Sequence, residues 1–338
     1  MRTVCIILAG AILALTACQR PPEVIPPDPD PTPALCASYV EHTTPAHDSM
    51  YNLPSCMTAL GCRYHLPRYW YERPVPSPDD PNQILYYVKD RESDIQTGLW
   101  IIDLCTGTRT HIFADDVWHG TEWCSNGWIL FGRPGQEIWK IKENGDSLAQ
   151  VTFSGRNIYP RQVPGEAAFI VLHTRPSGQG DVFKYNFQGV ALDSFPAPAG
   201  GVSPIMSPDG QYIAYYNAYK RIIYYEIAAD TFHLLDISDV TDTFGALDWM
   251  PDSKHLVWTD ATHGLFITSI ETGQSQIIKA TGYNNLIYLI PRIRADGQAL
   301  VVGRVEQETI GLDQVRQTQS LVMMRLDGTD ERHISLPE

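Results

Sequence analysis

From about residue 69 to the C-terminus, short apolar runs alternate with compact polar turns, and the alternation repeats. The runs ILYYV, WILF, AFIVL, YIAYY, HLVW and ALVV each follow a turn of the Ser-Pro-Asp-Gly kind or a remnant of one. The third residues of these turns fall at 79, 126, 165, 209, 252 and 296, a spacing of roughly 43 residues. A second apolar run comes next in each repeat: LWIIDL, EIWKI, DVFKYN, IIYYEI, LFITSI and LVMMRL. A second turn (CTGT, ENGD, FQGV, AADT, ETGQ, LDGT) then leads into a mixed polar and apolar strand. One further run precedes each first turn: YWYERPVP, GTEW, NIYPRQV, VSPIM, GALDWM and LIPRIR. Each repeat therefore predicts four short antiparallel strands, and no long helical period appears anywhere.

The turns are explained by local chemistry. Proline pre-sets φ for the first central position, Asp or Asn bonds its own backbone, and glycine takes the left-handed conformation that closes the hairpin. Asp209 and Gly210 are turn residues for that reason and are not read as a ligand site. A lone four-stranded sheet would expose two apolar faces, whereas sheets packed face to face around an axis bury them. Six repeats predict an all-β fold: a six-bladed β-propeller over residues 69–338. The run SPIMSPDGQYIAYYN, followed by IIYYEI, a turn and FHLL, resembles the TolB-type propeller repeat. The resemblance is clearest in the fourth repeat and implies the same six-bladed ring. The separate α/β domain of TolB has no counterpart in the short stretch at 34–68, so its cellular role is not carried over.

The N-terminal fifth of the chain is different. Residues 1–17 (MRTVCIILAGAILALTA) combine Arg2 with a short apolar stretch, as a secretory signal does. The sequence Leu15-Thr16-Ala17-Cys18 resembles a lipoprotein lipobox, which implies cleavage before Cys18 and its lipidation. By the same resemblance, Gln19 implies sorting to the outer membrane of a Gram-negative cell, facing either the periplasm or the outside. Residues 18–33 are proline-rich and predict an extended tether. The 34–68 segment carries Cys36, Cys56 and Cys62, for which disulfides suit an oxidising compartment better than a metal site.

Composition and charge narrow the functional classes. The chain has 338 residues with a formal net charge of −14, which disfavours broad contact with nucleic-acid phosphates. No Gly-x-Ser-x-Gly elbow, phosphate-binding glycine loop or EF-hand-type calcium loop is present, so no catalytic residue, cofactor or metal is assigned. Binding residues are expected in the variable loops on the face opposite the tight turns: Trp118, His119, His173, Arg175, Tyr219, Arg221, Asp239 and His263. His119 stands beside Asp115 and Asp116, which would suit a base oriented by a carboxylate as well as a plain solvated histidine. The longest of these loops spans Arg304–Gln319 and reads either as a partner-contacting arm or as a tolerated insertion. Cys105 and Cys124 fall in turns on one face of adjacent repeats, where a disulfide would staple blade one to blade two. The sequence thus predicts a non-catalytic envelope lipoprotein that binds a protein or peptide. A glycan-binding or hydrolytic propeller using the channel mouth is the alternative.

Overall fold

The computed structural model describes residues 49–51, 63–175, 180–217, 221–235, 237, 243–260, 264–281, 286–311, 314–334 and 336. Two short strands come first, β1 (Ser49–Tyr51) and β2 (Arg63–Leu66). Six four-stranded meanders follow. Blade one is β3 (Tyr69–Pro76), β4 (Gln83–Asp90), β5 (Gly98–Asp103) and β6 (Arg109–Phe113). Blade two is β7 (Trp118–Trp123), β8 (Trp128–Arg133), β9 (Glu137–Lys142) and β10 (Ala149–Gln150). Blade three is β11 (Asn157–Gln162), β12 (Ala168–Thr174), β13 (Gly180–Asn186) and β14 (Ala191–Pro196). Blade four is β15 (Gly201–Met206), β16 (Tyr212–Asn217), β17 (Arg221–Glu226) and β18 (Thr231–Leu234). Blade five is β19 (Thr243–Trp249), β20 (His255–Asp260), β21 (Gly264–Ser269) and β22 (Ser275–Ala280). Blade six is β23 (Leu286–Ile293), β24 (Ala299–Gly311), β25 (Gln314–Arg325) and β26 (Arg332–Ile334).

Every blade pairs its strands antiparallel in chain order, and the innermost strands touch in a closed cycle, β3, β7, β11, β15, β19, β23 and back to β3. The middle strands are apolar on both faces because each face packs on a neighbouring blade. Leu85, Tyr87 and Leu99 of blade one meet Ile129 and Phe131 of blade two, and Ile170 and Leu172 of blade three meet Ile213 and Tyr215 of blade four. Burying each such side chain is worth about 1.5–3 kcal/mol, and the blade interfaces supply this together.

Each innermost strand breaks its register at the same place, for example between Glu72 and Val75, Ile158 and Arg161, or Val202 and Ile205. At the break, Arg73, His119, Tyr159, Ser203 and Ile290 take left-handed φ values of 55°, 54°, 56°, 51° and 56°. In four of these strands the next residue is proline: Pro74, Pro160, Pro204 and Pro291. Proline offers no N–H to the ladder, so an inner strand accommodates it only at a β-bulge.

The four meander strands of each blade come from one continuous stretch of chain, and only the sheet of blade six takes in further strands, β1 and β2. At the seam between blades six and one, Tyr71, Tyr86 and Val88 pack against Val301, Leu321 and Met323. The Gln319 side chain, 5% exposed, acts as a substitute strand. Its Oε1 accepts from the Tyr71 N–H at 2.8 Å, and its Nε2 donates to the Tyr71 carbonyl at 2.5 Å.

The segment expected as a loop, Arg304–Gln319, is instead mostly hairpin. β24 and β25 stay paired through Arg304↔Ser320, Glu306↔Thr318 and Glu308↔Arg316. Beside this extension β2 runs parallel to β25, with Arg63 opposite Gln314 and His65 opposite Arg316, and β1 pairs antiparallel with β2. Polar alternation with no turn signal concealed the extension, because a solvent-facing strand pair has no apolar face to reveal it.

Candidate functional site

Inner strands run from the face bearing the blade links toward the face bearing the tight turns. Residues at their starts therefore ring the mouth of the channel. Between blades one and two this mouth widens into a cleft of about 590 Å³. β3 contributes Trp70, Glu72 and Arg73, the end of β4 contributes Tyr87 and Lys89, and Arg91 follows from the next loop. Asp116 and Val117 enter from the blade link, and Trp118 and His119 from the start of β7.

Internal bonds fix these side chains. The Trp70 indole N–H donates to Glu72 Oε1 at 2.6 Å, and the Arg91 guanidinium lies 5.2 Å above the Trp70 ring. Arg73 donates to the Val117 carbonyl at 2.9 Å and lies over the Tyr87 ring. The Tyr87 hydroxyl and the Lys89 ammonium both donate to Asp116 Oδ1, at 2.8 and 3.0 Å. Burial, and then the bond to Asp116, hold the Tyr87 hydroxyl well above its ordinary pKa. Burial opposes the charge on Lys89, but its bonds to Asp94 and Asp116 outweigh that and keep it raised. Trp118 is the exception to this tight packing, since 46% of it is open to solvent. Gly132 on the adjacent strand makes its position possible, because a Cβ there would stand 2.1 Å from the Trp118 carbonyl oxygen.

The pairing of His119 with a carboxylate that a catalytic reading would need is not formed. Asp115 binds Arg133, Asp116 binds Tyr87 and Lys89, and the His119 ring packs edge-on against Trp118 and Tyr159. Burial, followed by the charge of Arg73, lowers the His119 pKa, so at neutral pH it is an uncharged aromatic wall.

Beneath the mouth, the axis is crossed by charges. Glu122 Oε2 lies 3.1 Å from Arg161 and 2.6 Å from Arg292, and Arg292 Nε lies 3.4 Å from Asp248 Oδ2. Blades two and six are not neighbours, so the Glu122–Arg292 contact spans the channel itself. All four side chains are no more than 12% exposed. Burial raises Glu122, opposed chiefly by the charge of Arg161, and raises Asp248 to about 7. The arrangement is a channel crossed by paired charges beneath an aromatic-rimmed side cleft, which suits recognition.

No protein-family model matches the sequence, and no curated protein matches it significantly. Solved structures do match. TolB from Acinetobacter baumannii superposes with a TM-score of 0.57 at 14% identity, over 79% of this chain and 64% of that one. A putative TolB from Agrobacterium tumefaciens gives 0.52 at 12% identity, over 68% of this chain and 84% of that one. The fold is the TolB propeller. At these identities the likeness is one of fold, and the chain spans less than two thirds of the Acinetobacter protein.

On this TolB-type ring the described members of the expected binding set fall on blades two, three and four. Trp118 and His119 line the cleft together. His173 belongs to blade three, with its Nδ1 3.1 Å from Asn157 Oδ1, and Arg175 pairs with Asp181. Arg221 opens β17 in blade four, with its backbone N–H bonded to Asn217 Oδ1. Tyr219, Asp239 and His263 lie outside the described residues, as do Cys18, Cys36, Cys56 and Cys62. The sequence reading missed Trp70, Glu72, Arg73, Tyr87, Lys89 and Arg91. The available signal was the bulge proline at 74, which marks where an inner strand turns its side chains toward the mouth. Among the described residues no group of three or more His, Cys, Asp or Glu side chains could hold a metal ion.

The expected Cys105–Cys124 disulfide is also not formed. Cys124 is a free thiol with no exposed surface, pinned between blades two and three beside Leu130 and Phe169. Cys105, on the outer turn of blade one, is disulfide-bonded. The two turns share a face, but Cys124 ends an inner strand and points into the blade interface.

Proposed function

We propose that the protein is a non-catalytic cell-envelope lipoprotein whose propeller docks a segment of a partner protein in the cleft between blades one and two. The observation that carries this reading is Trp118, half open to solvent within a frame of side chains already fixed by their own bonds. A preorganised aromatic anchor loses little conformational entropy on binding and is the usual centre of an interface. The TolB-type fold supports the reading as an analogy of architecture. The lipobox at 15–18 supports an anchor on Cys18 and placement at the outer membrane, in the periplasm or at the cell surface.

Two measurements test this. Metabolic labelling with palmitate should mark the wild type and leave Cys18→Ser unlabelled and released from membranes. Affinity purification from detergent-solubilised envelopes should recover a specific protein with the wild type and lose it with Trp118→Ala. Equal recovery with both would remove the cleft from the proposal.

The glycan reading would use the same tryptophan. Sugar hydroxyls need acceptors as well as donors, and the cleft carboxylates Glu72 and Asp116 are already engaged. The bonding pattern therefore favours a protein partner.

A further inference from the structure

We infer that the cleft recognises an acidic peptide segment, a carboxylate flanked by an aromatic or proline side chain. This rests on the reading of the cleft as a protein-docking site and specifies its ligand.

The argument is a balance of donors and acceptors. Glu72 accepts from the Trp70 indole and lies 3.5 Å from Arg73 NH2. Asp116 Oδ1 accepts from both Tyr87 and Lys89. Arg73 and Lys89 keep N–H groups in reserve. Arg73 spends one N–H on the Val117 carbonyl, out of the five that a guanidinium offers. Lys89 shares three N–H groups between Asp94 and Asp116, at 2.9 and 3.0 Å. The Arg91 guanidinium is held flat over Trp70 at the cleft wall. Three cations and two engaged carboxylates thus line a cleft in a chain whose formal net charge is −14. His119 adds no charge at neutral pH.

A ligand entering here meets spare donors on Arg73 and Lys89. A carboxylate is satisfied by donors alone, and charge-assisted bonds to guanidinium or ammonium are the strong ones. Trp118 stands beside these cations with its indole open, at the position for an apolar neighbour of that carboxylate. Aromatic and proline side chains fill such a place at low entropic cost.

The test is selection from a random-peptide display library on the full mature protein, followed by calorimetry on the enriched peptides. Enrichment of Asp or Glu next to an aromatic residue or proline is expected. Replacing the acid by its amide should weaken binding at least about tenfold, as loss of a charge-assisted bond implies, and added salt should weaken the acidic peptide more than the amide. Arg73→Gln and Trp118→Ala should each abolish the enrichment, with unchanged circular dichroism and melting as the check on folding. The acid–amide comparison uses only wild-type protein and stands even if a variant misfolds. Peptides enriched without an acid but displaced by Trp118→Ala would overturn this inference and leave the docking site intact. No enrichment over the Trp118→Ala protein, or tight binding of oligogalacturonate alone, would overturn both.

Discussion

Gln319 occupies a position where one amide does what a strand pair does elsewhere. It presents both a donor and an acceptor to the Tyr71 backbone at a buried seam. Gln319→Leu should strand a buried N–H and a buried carbonyl, at a cost of about 1–3 kcal/mol for each group left unsatisfied. Gln319→Glu keeps the size but loses the donor, so it should also lower the midpoint of urea unfolding at neutral pH. An unchanged midpoint in Gln319→Glu would show that the seam does not need the donor. Cys124 gives a second test at this scale. Burial pushes its thiol far above the ordinary value, and a thiol protonated and enclosed is unreactive. Maleimide should therefore leave it untouched in the native protein and label it in denaturant without reductant. Cys105 should be labelled only after reduction. No residue pattern distinguished these two cysteines, because both lie near turns. What separates them is that one turn is at the rim and the other at a blade interface.

At the scale of elements, strand positions and turns were legible in the sequence because they follow from local rules. Alternation, proline and glycine act within a few residues of each other, and the repeat averages out the noise. The extended hairpin of β24 and β25 was not legible. Its outer half, through Glu306, Glu308, Arg316 and Thr318, is polar on both faces and resembles a loop. Its pairing with β2 is a contact across most of the chain, which no local pattern encodes. Replacing residues 307–317 by a two-residue Asn-Gly turn should leave the ring folded, because the blade core lies in Leu300–Val302 and Leu321–Met324. The same change should remove amide-exchange protection at Arg63–His65, and protection that persists there would show that β2 is held by something else. The bulges lie between these cases. The recurring inner-strand prolines at 74, 160, 204 and 291 were visible, but their meaning depends on the strand being innermost.

At the scale of the molecule, the ring brings together charges that lie far apart in the chain. Glu122 and Arg292 are 170 residues apart and meet across the axis. Asp248 shares this floor, and its acceptor is also used by the Ile293 N–H at 2.9 Å. Burial raises its pKa from 3.8 to about 7. A carboxyl with a raised folded value binds more protons in the native state than in the unfolded chain across that interval. Its contribution to stability therefore declines as pH rises from about 4 to 7. Asp248→Asn retains an acceptor and does not titrate, so unfolding midpoints measured from pH 4 to 8 should move against the wild type relative to the variant as pH increases. A constant difference would mean that Arg161 and Arg292 compensate the charge fully. The sequence by itself determined the all-β class, the six modules and the turn chemistry, since each depends on neighbours within one repeat. Only the tertiary structure decided which turn cysteine is buried, which polar stretch pairs as a strand, and that Trp70, Arg73, Lys89 and Trp118 share one cleft. Those outcomes depend on which side chains a closed ring makes adjacent, and closure is a property of all six blades at once.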